Sequence, residues 1–230
     1  MMQDKDITKT KLYNILQYVY YFLTTNILFL ITNLIFFIGQ LYIPLSISSI
    51  FLYFLILIPS GPSITALFFT MRKLIIEKNI SVARTFFRAY KENFWESMRY
   101  WLVQLTVFTV LFVDLLFVLD KGYTLLAIVI SLVLIVLVVL TINSFLVLST
   151  FEVSLKNLYI FSFLMIFYNI IKSIGNLSIL IGFSAIWYVI PSQATLFIFS
   201  VTVYYLVKNN HQTLIAFQKK YSTADEDEHV

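Results

Sequence analysis

The sequence predicts an all-α polytopic membrane protein of about six transmembrane helices, arranged as three helical hairpins with interfacial amphipathic helices between them. Three observations carry that expectation. Hydrophobic residues fill 60% of the 230 positions and charged residues only 12%, with a mean hydropathy of +0.88, far from the balance of a soluble domain. The apolar residues come in runs of about twenty, the length a bilayer core requires. Of sixteen Lys and Arg, fifteen fall in segments that six spans would place on one side of the membrane, and only Lys121 falls on the other. Basic residues near span ends mark the cytoplasmic side, so both termini are expected there.

The first span is expected at residues 20–38, with Gly39-Gln40 turning the chain. The second runs over residues 41–69 and is broken at 59–63, where Pro59-Ser60-Gly61-Pro62-Ser63 removes two helical donors and loosens the backbone. Over residues 81–96 the apolar Val82, Phe86, Ala89 or Tyr90, and Phe94 recur at helical spacing, while Arg84, Arg88, Lys91 and Glu92 lie mostly elsewhere. That pattern reads as an interfacial helix with aromatics at headgroup depth. The third and fourth spans cover residues 98–119 and 123–148, joined by Asp120-Lys121-Gly122. Residues 151–172 read as a second, weaker interfacial segment, followed by spans at 174–190 and 194–207. The stretches 11–37, 84–112 and 156–187 each begin amphipathic and aromatic and end as a span, the signature of three hairpins in tandem. We expect a single membrane domain over residues 1–230, with 221–230 as a flexible acidic tail around Asp225-Glu226-Asp227-Glu228.

Composition also narrows the function classes. The net charge of +4 is divided among membrane-flanking segments, so membrane lipids are the expected counterpart and nucleic acid is not. No cysteine occurs, which removes disulfides and thiolate catalysis. Phosphate loops, nucleophile elbows and zinc motifs are absent from the sequence, so neither an enzyme nor a cofactor is expected. His211 and His229 have no partner at metal-ligand spacing.

The run from Gly61 to Lys78, Gly-Pro-Ser-Ile-Thr-Ala-Leu-Phe-Phe-Thr-Met-Arg-Lys-Leu-Ile-Ile-Glu-Lys, and the run Thr85-Phe-Phe-Arg-Ala-Tyr-Lys-Glu-Asn-Phe-Trp after it resemble the YesL family (DUF624) of bacterial integral membrane proteins. The resemblance implies a multi-pass protein of the bacterial cytoplasmic membrane, often encoded beside carbohydrate uptake systems, with no established activity. It thereby suggests ABC-type carbohydrate transporter subunits as partners.

Two sets of residues are candidates for function. Arg72, Arg84, Arg88, Tyr90, Lys91, Phe94 and Trp95 combine charge with aromatic surface, as protein interfaces and lipid contacts do. Asn26, Asn33, Ser60, Ser63 and Asp114 are polar groups within or beside apolar spans. Asn26 and Asn33, seven residues apart, share a helix face and could form a polar track for a solute or glue helices together. Asp114 is an ionisable group inside a span, a functional hypothesis by default, although it lies near enough the outer loop to reach water. Gly175, Ser178, Gly182 and Ala185 fall within an arc of about 80°, a small-residue stripe expected to serve close helix packing. The favoured reading is an accessory or interaction protein for carbohydrate uptake. The alternative is a small transporter or substrate-capture subunit that uses the broken second span.

Overall fold

Two prolines three residues apart set the centre of this molecule. In the computed structural model, which describes residues 11–44 and 46–227 with the side chains of 11 and 219–227 excepted, the second span divides as the sequence requires. Helix α3 (Ile50–Leu57), preceded by the 3-10 turn Ile47–Ser49, meets α4 (Ser60–Glu77) at a bend of 55°. A break in a membrane leaves backbone carbonyls that must find donors inside the protein. Trp101 supplies one, its indole Nε1 donating to Leu57 O at 2.7 Å. Gly61 lies directly under that tryptophan, and a Cβ there would overlap Trp101 Cβ and Cγ.

The other elements surround α4. Before the break come α1 (Lys11–Thr32) and α2 (Leu34–Tyr42), parted at Asn33; after it come α5 (Val82–Glu92), α6 (Phe94–Asp120) and α7 (Thr124–Leu148). Then follow α8 (Leu155–Tyr168), α9 (Ile170–Val189), the single turn α10 (Pro191–Ala194) and α11 (Ile198–Asp227). The described residues contain no strand. α4 is buried on nearly all sides by α1, α5, α6, α7 and α11, and its Leu67, Met71 and Leu74 form the core with Phe86, Tyr100, Leu146, Leu158 and Val207. The pairs α6/α7 and α9/α11 are hairpins, as expected for two of the three.

Side-chain pairs give the direction of each helix. Tyr21 donates to Asn79 at 2.9 Å, joining the first half of α1 to the turn after α4. Arg72 donates to Ser149 O at 3.1 Å at the end of α7, and Asn209 donates to Lys172 O at 3.0 Å near the start of α9. Tyr18 faces Tyr204 while Phe29 faces Phe199, so α11 runs antiparallel to α1. The basic segments thus gather at one end of the bundle, and Asp120-Lys121-Gly122 turns at the other.

The span count differs from the expected six. Four helices, over Leu12–Thr32, Phe94–Asp120, Thr124–Leu148 and Ile170–Val189, are long and apolar enough to cross a membrane, or five if the bent pair is one span. The sixth expected span is the first part of α11, where the apolar run ends at Val207 and the helix continues through Asn209, Asn210 and Thr213. Those polar residues are tolerated because Ser200, Asn210 and Thr213 are buried against neighbouring helices rather than turned to lipid. The same helix carries the backbone on to Asp227 across most of the stretch expected to be a tail, whose last residues lie outside those described.

The two interfacial segments also resolve differently. α5 is amphipathic, but its apolar face meets protein: Val82, Phe86 and Ala89 are buried where the helix packs on α4 and α1. α8 is apolar around its circumference and packs along α7. Ser144 Oγ donates to Ser162 Oγ at 2.8 Å across that contact.

Candidate functional site

With the apolar face of α5 buried, its other side is left outward. Arg84, Phe87, Arg88 and Lys91 follow an i, i+3, i+4, i+7 spacing and are all exposed, forming one stripe. Beyond the kink at Asn93, Trp95 continues it with 69% of its surface exposed. Tyr90 and Phe94 stand half-buried beside the stripe in an edge-to-face pair at 5.7 Å, and burial raises the Tyr90 phenol above its ordinary pKa. Phe87 escapes a reading that follows only the apolar face, yet it lies three residues from Arg84 and one turn from Lys91. Arg72 departs from this group, because its guanidinium turns inward to Ser149 O and satisfies a carbonyl at the C-terminal end of α7.

Beside the basic stripe is a region of opposite sign. Glu92, Glu96 and Glu152 line a polar hollow of about 370 Å³ together with Asn93, Ser149 and Thr150. Arg88 Nε lies 3.9 Å from Glu92 Oε2, which joins the two regions. Among the described residues no group of three or more His, Cys, Asp or Glu could hold a metal ion.

The five intramembrane polar candidates are not brought together. Asn26 binds α11: its Nδ2 donates to Thr195 O at 2.7 Å, and its Oδ1 accepts from the backbone N–H of Phe199 and of Ser200, each at 3.2 Å. It therefore caps the first turn of another helix, whose orphan amides would otherwise be buried unpaired. Asn33, at the break between α1 and α2, donates back to Phe29 O of α1 at 2.8 Å. Ser60 and Ser63 are buried at the start of α4, and Ser63 Oγ donates to Pro59 O over a long 3.5 Å. Asp114 lies exposed on α6 away from all of these.

A third amide site was not among the candidates. Asn176 Oδ1 accepts from Asn209 at 2.8 Å and from Asn210 at 2.7 Å, tying α9 to α11, while Asn176 Nδ2 is buried with no partner. The Asn209-Asn210 pair, one lysine beyond the apolar run that ends at Val207, was the available signal.

Between the break and the two hairpins lies an apolar chamber of about 420 Å³. Phe29, Ile64, Phe68, Trp101, Phe108, Val138, Phe145, Leu180, Trp187 and Phe199 contribute to its wall from α1, α4, α6, α7, α9 and α11. Its polar atoms are largely spoken for. Thr141 accepts from Gln104 at 2.6 Å, Trp187 Nε1 donates to Thr195 Oγ1 at 3.0 Å, and Thr202 donates to Ile198 O at 2.6 Å.

These features define a polytopic α-helical membrane protein with a two-signed polar face at its basic end. Residues 22–115 match the family model described as Protein of unknown function, DUF624. The match includes both runs on which the resemblance rests. No curated protein and no solved structure matches the chain.

Proposed function

We propose that this protein is a non-catalytic accessory protein of the bacterial cytoplasmic membrane, which docks a protein partner on the face formed by α5, the start of α6 and the α7–α8 connection. One observation carries the reading. The exposed stripe Arg84, Phe87, Arg88, Lys91 and Trp95 lies against a hollow lined by Glu92, Glu96 and Glu152. An anionic membrane surface would attract the first and repel the second, whereas a protein can carry charges complementary to both. Exposed Phe87 and Trp95 supply the aromatic anchors that dominate protein interfaces. The family resemblance adds the setting, carbohydrate uptake, with ABC-type transporter subunits as partners. The positive-inside rule supports a cytoplasmic position for this face.

Sugar capture in the chamber has less support. A carbohydrate brings many hydroxyls that need partners, and a site that leaves them unpaired is penalised heavily. The test is photo-crosslinking from probes placed at Arg88 and Trp95 in native membranes. A discrete protein adduct is expected, reduced roughly 30-fold or more in yield at limiting partner by Trp95→Ala at unchanged charge. Recovery of lipid adducts alone would refute the docking role.

A further inference from the structure

We propose that the chamber beside the broken helix is a binding site for one acyl chain of a membrane phospholipid, entering sideways from the bilayer between α7 and α9.

The chamber has no good alternative occupant. An apolar hollow of about 420 Å³ that opens to the surface is filled by whatever its lining favours. Water needs two to four polar partners. The indoles of Trp101 and Trp187 and the hydroxyls of Thr141 and Thr202 are engaged with Leu57 O, Thr195, Gln104 and Ile198 O, which leaves the hydroxyl of Ser184 alone in the lining, too few partners for a water. What remains is phenyl, aliphatic and indole surface, which favours hydrocarbon. In a membrane that is also the surrounding solvent.

A path for it exists. A second hollow of about 600 Å³ runs along the outside between α7 and α9, lined by Ile135, Leu177, Ile181 and Ala185, and it shares Val138, Leu180 and Ser184 with the chamber. It is continuous with the lipid-facing surface, where Leu132, Ile135, Val136 and Ile181 are all exposed. The small-residue stripe of α9 takes on a different meaning here. Gly175 does approach Asn209, but a Cβ on Gly182 would meet nothing within 4 Å, and Ser178, Gly182 and Ala185 are exposed. The stripe does not close a helix contact along its length, and its small side chains leave the gap open. Ile135 and Val138 lie near the middle of α7, so the opening sits at acyl-chain depth. The headgroup stays at the membrane surface, and selection acts on the chain.

The three tryptophans permit a direct test. In a Trp95→Phe/Trp187→Phe variant the remaining fluorophore is Trp101, only 9% exposed and part of the chamber wall. The variant is reconstituted into vesicles of phosphatidylethanolamine and phosphatidylglycerol, a small fraction of which carries bromine at mid-chain. We expect quenching of Trp101 that saturates at low brominated fraction and falls at least about threefold when Ser184→Phe obstructs the opening, with Ala185→Phe as an independent obstruction. Quenching that is absent, or that neither obstruction changes, would overturn the proposal. Crosslinking from Arg88 is a separate readout, so failure of the chain site and failure of partner docking are distinguishable.

Discussion

Asn26 shows what a single polar residue does in this membrane domain. It makes two hydrogen bonds to the start of α11 and a third to Thr195 just before it, whereas Asn33, one stripe position on, bonds only back to the end of α1. Asn26→Leu should therefore lower thermal stability in detergent by about 1–2 kcal/mol, and Asn33→Leu by less. A larger effect at Asn33 would show that the Asn26 bonds do not hold α11 in place. Gly61 gives the steric counterpart: a methyl group there meets Trp101 Cβ, Cγ and the backbone O of Ser97. Backbone and Cβ atoms cannot swing aside as a long side chain can, so Gly61→Ala should cost about 1–3 kcal/mol in the same assay. At Gly175 the obstructing atoms belong to the Asn209 amide, and the same substitution should be milder. A sequence can show that an amide or a glycine stands inside an apolar run, but for Asn26, Gly61 and Gly175 the atom it meets belongs to a segment more than thirty residues away.

Helix α5 illustrates the same division at the scale of an element. Its period was legible, because Val82, Phe86 and Ala89 recur on one side and Arg84, Arg88 and Lys91 on the other. What covers the apolar side was not, since a bilayer surface and a protein groove demand the same pattern. Phe86 is fully buried against protein, while Arg88 is exposed with only a long contact to Glu92. Phe86→Asp should therefore reduce the yield of folded protein by the equivalent of more than about 3 kcal/mol, and Arg88→Gln should change it by no more than about 0.5 kcal/mol. Comparable mild losses, read as detergent-extracted folded protein, would mean that α5 is not docked on α4 and α1. α8 was harder to read because Lys156 and Asn157 at its start give an amphipathic impression that the rest of the helix does not sustain. Its buried Leu158, Ser162 and Met165 are chosen by the shape of α7 rather than by a polar–apolar alternation.

For the whole molecule, the strongest expectation concerns orientation. Among the described residues the bundle collects its basic segments at one end, with the exception of Lys121, and α1 and α11 both have their outer termini directed there. Cysteine-free wild-type protein needs no background removed before single cysteines are introduced. Gln40→Cys, Gly122→Cys and Ser192→Cys should react with a membrane-impermeant thiol reagent in intact cells, and Asn79→Cys should react only after the membrane is opened. Labelling at Asn79 with protection at Gly122 would reverse the orientation and remove the α5 face from the cytoplasm.

By itself the sequence determined that the chain is a membrane protein, where its second span breaks and which ends of its helices belong together. Those properties follow from hydropathy, proline chemistry and the side on which cations collect, each of which acts locally or through the bilayer. Only the tertiary structure decided that Asn26 caps α11, that Arg72 turns inward, that α5 shows a two-signed face and that the small residues of α9 border an opening. The physical reason is that these are properties of packed surfaces. The chamber exists because Phe29, Trp101, Val138, Leu180 and Phe199 converge without filling the space between them, and no one-dimensional pattern records the volume that five distant side chains leave empty.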